Sequence, residues 1–69
     1  MIAKNKIAVY TDRYKSAYGI NPRGMGYWFF HCKGKVRLDF GYTGMYKEAK
    51  KKAVEFASEH DCYIVSLQS

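Results

Sequence analysis

Two short stretches hold most of the side chains in this chain that could do chemistry: His31-Cys32 and His60-Asp61-Cys62. Neighbours on an extended strand point to opposite faces, so His31 and Cys32 cannot form a nucleophile–base pair. Together the two His and two Cys would make four zinc ligands, but their spacing matches none of the common zinc patterns. The count also allows one Cys32–Cys62 disulfide, although two reduced thiols are the expectation for a cytosolic chain. No Walker-type loop, HExxH or paired-acid motif occurs. The GxG at Gly24–Gly26 precedes a strand pattern rather than a helix, so it carries no nucleotide-binding signal. These residues point away from an enzyme, and no catalytic group, metal or cofactor is expected.

What remains is the chemistry of binding. Gly26–Cys32 reads GYWFFHC, four consecutive aromatics in a chain that is 17% aromatic. A strand places two of them on each face. Twelve Lys and Arg against six Asp and Glu leave a net charge of +6. That favours an anionic partner, nucleic acid first, unless the charge only keeps a basic surface solvated. Lys47, Lys50, Lys51 and Lys52 crowd the first half of a helical pattern whose end carries Glu55, Glu59 and Asp61, the reverse of what the macrodipole prefers. Beside the accessible backbone of Gly44, such lysines suit a phosphate. The plainer reading is a solvated face balanced by Glu48–Lys52 and Lys51–Glu55 pairs.

The elements that must position these groups follow from periodicity. Ile7, Val9 and Thr11 alternate with Ala8, Tyr10 and Asp12, giving strand 1 over about residues 5–12. Arg13–Gly26 reads as a loop with a type I turn at Asn21-Pro22-Arg23-Gly24. YWFFHCK and VRLDFGY make a hairpin around Gly34. From Met45 to His60 the apolar period becomes helical, with Met45, Tyr46, Ala49, Ala53, Phe56 and Ala57 on one side. CYIVSLQ supplies the last strand. The expected fold is therefore α+β, in the order β-β-β-α-β: an antiparallel sheet with one helix on one face. Residues 1–69 form a single domain, near the lower size limit for independent folding. No apolar run approaches the ~20 residues of a membrane span, and no secretory signal is evident, so the expected location is the cytoplasm.

One helix covers one sheet face, so two aromatics must lie on the other. A two-residue turn at Gly34 would put Tyr27, Phe29 and His31 beside Val36, Leu38 and Phe40. Composition favours burying Trp28, Phe30 and Cys32 instead, which requires a three-residue turn or a bulge. The open face then collects Tyr10, Tyr27, Phe29, His31, Lys33 and Arg37, with Arg23, Lys47, Lys50 and Lys51 as flanking cations. Two things would close it: the Arg13–Gly26 loop folding over with Tyr14, Ile20 and Met25, or a homodimer through the same surface.

Over Tyr27–Ala57 the chain resembles the DNA-binding domains of the AP2 type and of phage integrase N-termini. The shared pattern is an aromatic strand, a short turn, a strand ending in Phe40-Gly41, and Glu48-Ala49 opening an alanine-rich helix. The resemblance implies that the sheet face away from the helix enters the DNA major groove, with Lys33, Arg37 and the outward aromatics contacting DNA. The sheet departs from the family in offering one Arg and in carrying Asp39. In size and tyrosine content the chain is also similar to small phage inhibitors of host defence enzymes, including anti-CRISPR proteins. The leading expectation is a basic module that binds nucleic acid. The alternative is an inhibitor of a host nucleic-acid-handling protein.

Overall fold

The computed structural model describes residues 1–68. After a 3-10 turn at Lys4–Lys6, the elements are β1 (Ala8–Tyr10), α1 (Asp12–Tyr18), β2 (Met25–Gly34), β3 (Arg37–Met45), α2 (Tyr46–Glu59) and β4 (Cys62–Leu67). They make a small α+β fold with a four-stranded sheet in the order β1-β4-β2-β3. β2 pairs antiparallel with β3 and β4, and β1 pairs parallel with β4. No helix among the described residues is long and apolar enough to cross a membrane.

Two expectations are corrected. The sheet is mixed rather than antiparallel, and the order gains a helix to become β-α-β-β-α-β. With β2 flanked by β3 and β4, the free edge of β4 is where β1 joins the sheet. Parallel to β4, β1 points toward the end of the sheet where Met25 starts β2. A seven-residue helix bridges part of that gap, about 10 Å at 1.5 Å per residue. Tyr14, Ala17 and Tyr18 share one of its sides, and the Tyr14 and Tyr18 rings lie 4.5 Å apart. Gly19 closes α1 in the left-handed region at φ 72°, its N–H donating to the Lys15 carbonyl at 2.7 Å. β1 is correspondingly shorter than expected, because Lys4–Lys6 and Asp12 belong to helical turns. Asn21–Arg23 is irregular rather than a closed turn.

The β2–β3 register follows composition. Lys33 pairs with Arg37 across a three-residue turn, so Phe30 opposes Phe40 and Cys32 opposes Leu38. Trp28, Phe30 and Cys32 are buried under α2 together with Val65 and Leu67. A Cβ on Gly34 would meet the Asp61 carbonyl oxygen at 2.5 Å and the Cys62 Cα at 2.6 Å. Glycine there lets the start of β4 press against the turn. Ala49, Ala53 and Ala57 are fully buried and bring α2 close to the sheet. Trp28 Nε1–H donates to the Gly44 carbonyl at 3.0 Å, which satisfies its polar end inside the core. The N-terminal arm packs on α2, with the Ile2 N–H donating to the Ser58 carbonyl at 3.1 Å and the Ser58 hydroxyl donating to the Ile2 carbonyl.

Candidate functional site

The sheet face away from α2 is built in rows that follow from the strand registers. Ala8, Ile64, Lys33 and Arg37 form one row across β1, β4, β2 and β3; Tyr10, Ser66, His31 and Asp39 form the next. Beyond them Phe29 opposes Gly41, Tyr27 opposes Thr43 and Met25 opposes Met45. Alternate residues on a strand stand about 6.8 Å apart. The strip Met25-Tyr27-Phe29-His31-Lys33 therefore changes from apolar through aromatic to cationic along a single strand.

The loop does not cover this strip. Tyr14 instead packs on the opposite, α2 side of the sheet, its ring 5.6 Å from that of the buried Trp28. Met25 remains 78% exposed, Tyr27 61% and Tyr10 49%. Tyr27 also lies low on the sheet, since a Cβ on Gly41 would collide with its ring and hydroxyl. Glycine at position 41 permits that approach, leaving the other face of the ring toward solvent. His31 Nδ1 and Asp39 Oδ1 stand 2.9 Å apart, so the carboxylate on this face is taken up by the neighbouring imidazole.

The structure brings Tyr10, Tyr27, Phe29, His31, Lys33 and Arg37 onto one surface. It does not bring the flanking cations there as a group. Lys50 and Lys51 sit on α2, in the layer across the sheet. Arg23 and Lys47 flank the junction where the Tyr46 N–H donates to the Gly24 carbonyl at 2.8 Å, next to the Met25–Met45 end. That bond also uses an amide at the start of α2 that a phosphate would need. The expected Glu48–Lys52 and Lys51–Glu55 pairs do not close, because both acids have other partners. Glu48 accepts from the Tyr42 hydroxyl at 3.1 Å, and Glu55 meets Lys4 Nζ at 3.7 Å.

The cysteines lie outside this surface. Cys32 and Cys62 are both free and fully buried. Burial, then the nearby Cys62 and Asp39, pushes the Cys32 thiol up to about 11. Burial also raises Cys62. Neither is an available nucleophile at neutral pH. Among the described residues no three His, Cys, Asp or Glu side chains gather into a metal-binding group.

Sequence reasoning missed the surroundings of Tyr10. Asp12, Arg13, His31, Ser66, Leu67 and Gln68 border a hollow of about 510 Å³ with it. The apolar i, i+3, i+4 spacing of Tyr14, Ala17 and Tyr18, followed by Gly19, was the signal that would have placed Arg13 on a helix beside the sheet. No protein family, curated protein or solved structure compared with the chain matches it.

Proposed function

We propose that this protein is a non-catalytic binding module that holds nucleic acid on its open sheet face. The observation that carries this reading is the strip on β2 that no other element covers, where exposed Tyr27 and half-buried Phe29 lie in line with Lys33 and, across the sheet, Arg37. Bases stack on exposed rings with ~1–3 kcal/mol each, and phosphates are drawn by the cations. Arg23 and Lys47 extend the positive potential at the far end of the strip. In the AP2-type and phage-integrase domains that Tyr27–Ala57 resembles, the corresponding sheet face meets duplex DNA; here uncovered rings suit unpaired bases instead. Buried, reduced thiols suit a cytoplasmic location.

A second reading draws on the same face. Met25 and Met45 are paired and exposed at its end, and flexible thioethers suit a surface that docks on a protein. In that case the partner is a host nucleic-acid-handling protein and the module is its inhibitor. Titration of labelled oligonucleotides with wild type, Tyr27→Ala and Phe29→Ala separates the readings. Nucleic-acid binding requires each substitution to weaken affinity by roughly 5- to 150-fold, the equivalent of one stacked base. Absence of binding at low salt, with a monomer mass in sedimentation, turns the reading toward the inhibitor. A dimer mass would instead assign the face to a second copy.

A further inference from the structure

The hollow beside Tyr10 lies where the open face ends, between the last residue of β1, the first turn of α1 and the last residues of β4. Its volume of about 510 Å³ falls within the ~300–1,000 Å³ of small-ligand sites. Tyr10 and His31 supply planar walls that belong to the same row of the sheet. Ser66 and Gln68 offer a hydroxyl and an amide, the latter only weakly engaged by its 3.4 Å contact from Nε2 to the Ser66 carbonyl. The Gln68 backbone is fixed, its N–H donating to the Phe29 carbonyl at 2.8 Å. Asp12 and Arg13 stand at the rim, and a second hollow along the outside of α1 shares them and Gln68. The two hollows adjoin at Asp12, Arg13 and Gln68.

These groups suit a planar, hydrogen-bonding ring that carries a phosphate. We infer that the hollow takes a single unpaired nucleotide of the bound strand. Tyr10 stacks on its base, Gln68, Ser66 and Asp12 meet its polar edge, and Arg13 holds its phosphate. The inference rests on the proposed nucleic-acid function and adds a preference to it. A base inside a duplex presents neither its stacking faces nor its pairing edge, so the module selects single strands.

The test uses isotope-labelled protein with cytidine 5′-monophosphate, whose amino group suits Asp12, and with short oligo-dC, single-stranded or paired to oligo-dG. The mononucleotide is expected to shift the amide resonances of Tyr10, Arg13, Ser66 and Gln68. Arg13→Gln and Gln68→Ala, both at partly or fully exposed positions, are expected to weaken oligo-dC binding by about tenfold, and the duplex to bind about tenfold more weakly than the strand. If oligo-dC binds wild type and both variants alike, or if the mononucleotide leaves those amides unmoved, the hollow is not the site, while binding at the face stands. If the mononucleotide moves them but no oligonucleotide binds, the hollow stands and the reading of the face falls.

Discussion

Cys32 is the side chain whose acidity folding changes most, because its thiol is buried with Cys62 and Asp39 nearby. Its folded value of about 11 lies above the ordinary 9.0, so the neutral thiol is what the fold favours. The corresponding stability is present in full below about pH 9 and is lost as pH rises toward 11, up to ~2–3 kcal/mol. Urea unfolding midpoints are expected to fall between about pH 8 and pH 10.5, and Cys32→Ala to flatten much of that fall. A residual slope comes from Cys62, raised by burial, from Tyr42, raised by its hydrogen bond to Glu48, and from Tyr46, raised by burial. Equal slopes for the variant and wild type would contradict this. At Gly41 the consequence is geometric. The Tyr27 ring over it is expected to move the Gly41 Hα resonances upfield, and Tyr27→Leu to abolish the shift. Gly41→Ala should lift the ring and weaken oligonucleotide binding by roughly the amount Tyr27→Ala does, ~1 kcal/mol or more. Ordinary Hα shifts in wild type would show that the ring stands away from the sheet.

At the scale of the element, α2 is held by the flatness of its inner side. Ala49, Ala53 and Ala57 leave no room for larger side chains, so Ala53→Leu should overpack the layer and cost ~1–3 kcal/mol in urea unfolding. A neutral result would mean that α2 shifts without penalty. This stripe was legible in the sequence because Tyr46, Ala49, Ala53, Phe56 and Ala57 recur at mixed three- and four-residue spacings, which strict alternation cannot place on one face. The hairpin register was legible for a related reason. Burying Trp28, Phe30 and Cys32 outweighs the preference for a two-residue turn, and the three-residue turn between Lys33 and Arg37 accommodates it. α1 was hidden by its brevity, since seven residues give barely two turns of apolar period. The parallel placement of β1 was hidden too: Val9 alternates with its neighbours equally well in either direction, and only the path from Tyr10 to Met25 decides between them. The open face was therefore read correctly along β2 and β3, while its border at Arg13, Ser66 and Gln68 required the tertiary structure.

For the whole molecule the deciding feature is how charge is spread over two layers. The net +6 does not collect on one surface, because Lys50 and Lys51 ride on α2 and the aromatic strip lies across the sheet from them. On the proposed function, a strand lying along β2 would meet Lys33 and Arg37 at one end and the Arg23 and Lys47 segments at the other. That reading therefore implies a handful of phosphate contacts and a modest affinity, with the rings supplying much of the free energy. The most direct measurement is the affinity for a labelled oligonucleotide between about 50 and 200 mM salt, with wild type and Lys33→Ala/Arg37→Ala. Four contacts to a single strand correspond to a slope of about −3 in log K against log salt, and loss of two should roughly halve it. No binding at the low-salt end, or a slope that the double substitution leaves unchanged, would contradict nucleic-acid binding through this face.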